Sequence, residues 1–383
     1  MATPTPLFDD AEVVRRILDH IDQKTTDLAP ETWREPVLNY RSEARFRDEL
    51  ALLQSYPSAF CPSAALPTAG SYVARNAAGT PILAVRGNDG RVRAFRNACR
   101  HRGTELVQGS GCQLAFTCRY HGWTYALDGR LRHVPHEHGF PGLDKDARGL
   151  VEVTAEEAQG LVFVTQETPP RDARPAALPP LIGSDFRFVG GGEIEMPVNW
   201  KIFVEGFLEG YHIRTTHPKT FYPLQYDNVN VVERFGDHNR IAFPYQAIER
   251  QRAVAPAQRS AGMLTYVYHL FPNAMVATFP GRIVMAVSDP IAVDRTRLVT
   301  YLLTNLDAKG GEAQSLLEKG RDFVNAGANE DQEMACAIQR SLASEANEFF
   351  EFGLFEGAIV HFHRVLHEAL AARAPRTRCE KAI

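Results

Sequence analysis

A chain of 383 residues is long enough for two domains and a large core. With 44% hydrophobic and 23% charged residues, its composition is that of a folded protein and excludes a disordered chain. A net charge of −4 without a dense Lys/Arg run argues against nucleic acid or an anionic membrane as the main partner.

Residues 1–10 carry neither a basic n-region nor an apolar h-region, and no stretch reaches the roughly 18 apolar residues of a spanning helix. The sequence therefore reads as that of a cytoplasmic protein. Of the six cysteines, at 61, 99, 112, 118, 336 and 379, only 99 and 118 fall in a pattern, which fits a reducing compartment better than a disulfide framework.

Asp9 and Asp10 are helix-start signals, and Val13, Val14, Ile17, Leu18 and Ile21 follow at helical spacing. They predict an amphipathic helix over 9–22, within an N-terminal segment 1–54 that packs on the catalytic part of the chain. From 55 to 166 the texture changes to short β-like runs at 71–74, 81–85, 92–95, 114–117 and 161–164, with Asp89-Gly90 and Asp128-Gly129 as hairpin turns.

Within this β region Cys99-Arg-His101 is followed by Cys118-Arg-Tyr-His121. Two thiolates and two imidazoles in a C-x-H…C-x-x-H pattern make a Rieske [2Fe–2S] site, with cysteines on one iron and histidines on the other. Neutral imidazoles leave the cluster less negative and raise its potential, which suits a one-electron relay. Composition alone would produce this spacing with a chance on the order of 10⁻⁴. Zinc accepts the same residue types and is the competing occupant, although zinc knuckles more often open with C-x-x-C. Cys112 reads as a buried or half-buried bystander, because the two pairs already supply four ligands. Both pairs follow β-like runs, so two loops of a small β domain would clamp the cluster.

Residues 167–180 include five prolines and read as a linker. In 181–383, strand-like runs at 229–234, 264–271, 274–279, 282–288 and 297–304 and helical patterns at 199–212, 312–326, 329–346 and 356–372 predict an α+β fold with an antiparallel sheet.

Residues 199–212 read as one helix with Glu205, Glu209 and His212 on one face, and Pro218 biases His217 out of helical geometry just beyond it. Asp331, Met334, Ala335, Ile338 and Leu342 share a helical stripe, which puts a carboxylate on a face expected to be buried. A buried carboxylate needs a cation or strong donors. His212, His217 and Asp331 together meet that need as a 2-His-1-carboxylate triad for Fe(II); the plainer reading is two hydrogen-bonded histidines and a helix cap. Phe221, Tyr222, Tyr226, Tyr266, Tyr268, Phe271 and Phe279 read either as core or as a cage for an ammonium group. His133, His136 and His138 lie in a Pro/Gly-containing stretch, and His363 and His367 read as exposed or capping residues of the last helix.

Several of these motifs, in this order, resemble the large (α) subunits of the Rieske non-haem iron oxygenases. They are Cys99-Arg-His101-Arg-Gly, Cys118-Arg-Tyr-His121-Gly-Trp-Thr-Tyr, Asn199-Trp-Lys, Glu209-Gly-Tyr-His212 with His217, and Glu330-Asp331. The resemblance runs from about Ser55 to the last helix. It implies an N-terminal all-β Rieske domain and a C-terminal helix-grip, START-like catalytic domain. It further implies that Cys99, His101, Cys118 and His121 ligate the cluster and that His212, His217 and Asp331 ligate a mononuclear Fe(II).

The family forms a head-to-tail ring of three, in which an acidic residue carries electrons from one subunit's cluster to its neighbour's iron; Glu209 occupies that position. No G-x-G-x-x-G follows a predicted strand and no P-loop is present, so NAD(P)H electrons would arrive through a separate reductase, with or without a ferredoxin. The expected reaction is O2-dependent hydroxylation or oxidative demethylation of a small organic substrate. The Glu209-Gly-Tyr-His212 form is similar to the branch acting on quaternary amines. Aromatic ring hydroxylation is the alternative, and a plain Rieske electron carrier or a zinc-stabilised binding module are the competing classes. One departure stands out: Gly206 lies where many relatives have Asn, which removes a polar group near the iron.

Overall fold

The computed structural model describes residues 7–167, 178–306 and 311–373, with side chains in the last span from 326 onward. Most of the expected linker, and Cys379, lie outside these residues. The Asp9 carboxylate accepts the Glu12 amide at 2.8 Å and starts α1 (Asp10–Gln23), which buries Val13, Val14, Ile17 and Leu18 and stops at Lys24 in the left-handed region. Ser42 caps α2 (Glu43–Ser55) in the same way.

The residues between 58 and 165 form a seven-stranded antiparallel sheet. Its strand order is Ser58–Pro62, Leu161–Thr165, Glu152–Ala158, Val92–Arg96, Thr80–Arg86, Ser71–Ala77 and Gly109–Cys112. A second sheet of three short strands, Phe116–Thr117, Thr124–Tyr125 and Leu131–His133, lies against it. Gly90 and Gly129 take positive φ at the two expected turns, and a Cβ on Gly129 would stand 2.5 Å from the Phe95 ring.

The second half is built on another seven-stranded antiparallel sheet, ordered Arg187–Met196, Arg295–Thr304, Arg282–Ala292, Ala274–Phe279, Leu264–Leu270, His238–Pro244 and Val231–Phe235. On one face pack α3 (Trp200–Gly206), the single turn α4 (Ile213–Thr216), α5 (Gly311–Ser341) and α6 (Gly357–Arg373), through Trp200, Phe203, Phe271, Phe362 and Leu366. On the other face α1 and the first sheet meet Val231, Tyr266 and Tyr301 in a shared core. The α+β expectation holds. Helix α6 packed on one face of an antiparallel sheet is in keeping with the helix-grip arrangement.

Asn199 caps α3 by accepting the Lys201 amide at 3.1 Å, while its side-chain amide donates to the Val293 carbonyl at 2.7 Å. Trp200 and Lys201 are fully buried, and both donate to Glu49 Oε2 of α2, at 2.9 and 2.8 Å; Arg45 reaches Glu49 Oε1 at 2.9 Å. The Asn-Trp-Lys run thus anchors α3 to the N-terminal segment through a compensated buried charge.

Three expectations about helices need correction. Residues 199–212 are not one helix: α3 ends at Gly206, and the chain restarts as α4 at Ile213. Gly210 runs so close to Asn230 that a Cβ would lie 2.5 Å from its Oδ1. The Glu209 carboxylate accepts the Tyr211 and His212 amides, a local bond that replaces continued helix. Glu205 is bonded to Tyr40 and His363, whereas Glu209 is bonded to His212. The patterns at 312–326 and 329–346 run on as one helix to Ser341, so Asp331 lies inside α5 and is not its cap. On the stripe expected to be buried, Ala335 and Leu342 are, but Met334 and Ile338 are 44% and 40% exposed.

Candidate metal centres

Two loops, 99–104 and 118–123, carry the first cluster of ligand-type residues. Each is closed by the same device: the Gly103 amide donates to the Cys99 carbonyl at 2.8 Å, and the Gly122 amide to the Cys118 carbonyl at 2.9 Å. Both glycines have positive φ, 83° and 74°, which explains the Gly following each Cys/His pair. Cys99 and Cys118 are buried in one apolar cluster with Trp123 and Tyr125, and the His101 and His121 rings are 4.6 Å apart. His101 stacks on Trp123 and its buried Nδ1 has no hydrogen-bond partner, while the His121 ring is at the surface. Two buried thiols beside two imidazoles, one with an orphaned nitrogen, fit a [2Fe–2S] cluster with two sulfur and two nitrogen ligands. Cys112 is exposed, correcting its reading as buried or half-buried, because it sits on the edge strand Gly109–Cys112.

Tyr125 was not singled out from the sequence, although the Cys118 motif includes it. Its hydroxyl accepts the Arg100 amide at 2.9 Å and lies 3.3 Å from Cys99 Sγ. Burial, then the contact with Cys99, pushes the phenol pKa up, so it keeps its proton for the sulfur. A donor to a ligating sulfur stabilises the reduced cluster. Tyr125→Phe is expected to retain the cluster but lower its potential by on the order of 50 mV, as read by spectroelectrochemical titration.

The second cluster gathers His212, at the start of α4, His217, just past its end, and Asp331 of α5. Asp331 Oδ1 lies 3.5 Å from His212 Nε2 and 2.9 Å from His217 Nε2, and the three ligand atoms fall within 4.8 Å of one another. His217 is fully buried, and its Nε2 faces Asp331 Oδ1 without the geometry of a hydrogen bond. Its Nδ1 meets Glu330 Oε2 at 2.8 Å, and Thr220 donates to the same oxygen at 2.5 Å. His212 Nδ1 is held by Glu209 Oε1. Each imidazole thus has a carboxylate behind it and turns its other nitrogen inward, the arrangement that fixes a ligating tautomer.

Burial opposes charge on both partners, yet Asp331 and Glu209 lift the His212 pKa to about 10, and the two imidazoles hold Asp331 below its usual range. Three carboxylates around two imidazoles make a site with surplus negative charge, and His217 Nε2, which makes no hydrogen bond, supplies a ligand atom; the donor set fits Fe(II). Glu330 and Thr220 are parts of this site that pattern reasoning did not assign; the adjacency of Glu330 to Asp331 was the available signal.

A cavity of about 150 Å³ opens on the triad, walled by Phe203, Phe207, Phe221, Phe243, Phe279 and Val267. A second, larger cavity of about 720 Å³ shares Phe221, Phe279, Gln225 and Thr300 with this inner one. Of the seven aromatics considered as a cage, Phe221 and Phe279 line the inner cavity. Tyr266 bonds Asp10 and Tyr226 bonds Glu249, while Phe271 packs in the core. The Gly206 position faces open space between this cavity and one of about 360 Å³ on the far side of the triad. His363 is fully buried, not exposed, because α6 turns it toward Glu205 and Glu35.

Residues 57–146 match the Rieske [2Fe-2S] domain, and residues 184–372 match the ring hydroxylating alpha subunit (catalytic domain). The chain is 28% identical over 360 residues to the carnitine monooxygenase oxygenase subunit of Escherichia coli (strain K12), covering 88% of this chain and 93% of that one. It is 29% identical over 234 residues to the biphenyl 2,3-dioxygenase subunit alpha of Rhodococcus jostii, covering 56% and 48%. The crystal structure of the quaternary ammonium Rieske monooxygenase CntA in complex with L-carnitine superposes with a TM-score of 0.74 at 22% identity, covering 95% of this chain and 99% of that one. With a Rieske domain ahead of a ring-hydroxylating α catalytic domain, the chain belongs to the Rieske non-haem iron oxygenases, as an α-type oxygenase subunit.

Proposed function

We propose that this oxygenase subunit hydroxylates or oxidatively demethylates a small quaternary amine, with Cys99, His101, Cys118 and His121 holding the cluster and His212, His217 and Asp331 the mononuclear iron. The observation that carries the reading is the convergence of two imidazole Nε2 atoms and one carboxylate oxygen at the end of an aromatic-walled cavity. Fe(II) bound there would supply reductive activation of O2. The chain's own residues do the rest. Glu209 and Glu330 keep the imidazole protons on Nδ1, and the phenylalanine walls exclude water.

Among the described residues no Lys or Arg lines the inner cavity, whereas Phe207, Phe221 and Phe279 line it with aromatic rings and Glu209 and Asp331 offer negative charge. That combination favours an ammonium group. The relatedness to carnitine monooxygenase points the same way. Aromatic ring hydroxylation is the second reading, since the same rings would stack on an arene.

The partners in this reading are O2, a separate NAD(P)H-dependent reductase and two further copies of the chain. Apolar side chains stand exposed beside both centres: Tyr211 at 57%, with Met334 and Ile338, near Glu209, and Leu114 at 95%, with Tyr120, near the cluster loops. Such surfaces suit a head-to-tail ring in which Glu209 meets the neighbour's cluster edge. Among the described residues no helix is long and apolar enough to cross a membrane, and the five described cysteines are free, which fits a cytoplasmic location.

The test is reductase-coupled O2 uptake screened against quaternary amines, methoxy-arenes and aromatic acids, with product masses identified. A quaternary amine should stimulate uptake and give a hydroxylated or demethylated product. Turnover of arenes alone would move the chain to the second reading, and no stimulation by any of them, with a reducible cluster, would overturn both.

A further inference from the structure

Among the described residues a second group of two imidazoles and a carboxylate repeats the geometry of the first. His363 and His367 are one turn apart on α6, and Glu35 comes from the strand Trp33–Pro36 beside it. Glu35 Oε2 lies 3.4 Å from His363 Nδ1 and 3.0 Å from His367 Nε2, against 3.5 and 2.9 Å in the triad of Asp331. A tetrahedral ion with bonds of about 2.0–2.1 Å separates its ligand atoms by about 3.3 Å.

The parallel extends to the surrounding partners. His363 is fully buried, and its Nδ1 has no hydrogen-bond partner, as with Nε2 of His217. Its other nitrogen, Nε2, is held by Glu205 Oε1 at 2.9 Å, and Glu205 is fixed in turn by the Tyr40 hydroxyl at 2.6 Å. Glu35 is itself fully buried and oriented by Trp33 Nε1 at 2.9 Å and Asn39 Nδ2 at 2.7 Å. Burial pushes the Glu35 carboxyl up, but His367, His363, Trp33 and Asn39 together outweigh it and hold it at about 2, so it is an anion at neutral pH. Two buried carboxylates, Glu35 and Glu205, thus flank the core imidazole of His363, and Glu35 also meets the half-buried His367. His367 provides the path to solvent, its side chain 35% exposed.

We propose that Glu35, His363 and His367 form a second metal site, which takes a Zn(II) ion through Glu35 Oε2, His363 Nδ1 and His367 Nε2 with water in the fourth position. Zinc suits a two-imidazole, one-carboxylate set without demanding redox chemistry, and the carboxylate behind His363 is the usual outer partner of a zinc histidine. The ion would tie the strand Trp33–Pro36 to α6, a structural staple separate from the oxygenase centre.

The test uses the full chain carrying Asp331→Ala, so that the oxygenase triad does not compete for the ion. After incubation with Zn(II) and desalting, about one zinc per chain should remain, and unfolding should move to higher temperature with Zn(II) present. Adding His367→Ala should cut retained zinc at least about tenfold and abolish the thermal shift, while the metal-free unfolding temperature and the far-UV circular dichroism stay unchanged as the control for folding. Glu35→Gln, which keeps the side-chain size, should do the same. Loss of zinc to background in the parent chain, or equal zinc in parent and both variants, would overturn the proposal. Neither result bears on the oxygenase reading, which the cluster spectrum and substrate turnover report separately.

Discussion

Asp331→Ala should leave the chain folded and coloured but unable to turn over. The carboxylate contributes the only anionic ligand atom in the triad, and without it two imidazoles face a cavity walled by phenylalanine. Iron should fall from about three to about two per chain, because the cluster loops are built from other elements. The Rieske spectrum should remain, substrate-stimulated O2 uptake should drop to background, and the ratio of iron to acid-labile sulfide should read the difference. Full iron occupancy with normal turnover would remove Asp331 from the site. Asn at this position should behave similarly, since it keeps the shape but offers a neutral, weaker ligand.

The second large effect is expected at Glu209. Its two oxygens serve three donors, the His212 imidazole and the amides of Tyr211 and His212. Glu209→Gln leaves one acceptor oxygen, so either the imidazole or the turn loses its partner, and the negative charge behind His212 goes. Both metal centres should still load. Turnover should fall about 10–100-fold, with the loss concentrated in the step that re-oxidises the reduced cluster, which stopped-flow absorbance follows directly. Wild-type re-oxidation rates in this variant would deny Glu209 any part in electron delivery.

The sequence carried much of this site because its chemistry is concentrated in short motifs. The two Cys/His pairs, with the glycine after each, stand in loops whose closure depends on those glycines. The grouping of His212, His217 and Asp331 was also legible, from residue type and from a carboxylate on an apolar stripe. What pattern reasoning could not see was context-dependent. Helical spacing continued through Gly206 and Gly210, but the close approach to Asn230 and the Glu209 carboxylate end the helix there. Strand Arg187–Met196 was missed because Gly190 to Gly192 carry no pattern, yet a Cβ on Gly191 would stand 2.2 Å from the Thr300 carbonyl of the paired strand. Met334 and Ile338 read as core and are exposed in a single chain. His363 read as a surface residue because periodicity reports a face of α6, not what the N-terminal strand lays over it.

That strand, Trp33–Pro36, pairs in register with Phe349–Phe352, Trp33 opposite Phe352 and Pro36 opposite Phe349. The whole Rieske sheet lies between the two partners in the chain. During synthesis the electron-carrying module can therefore close on itself while the segment before it still waits for the last part of the chain to emerge. A contact between residues so far apart in sequence carries a high closure entropy and forms late. A ribosome-bound chain stopped after residue 306 should display a protease-resistant Rieske sheet and a cleavable stretch around Trp33. Electron carrier first, oxidising chamber last, is the order in which this topology lets the two halves mature.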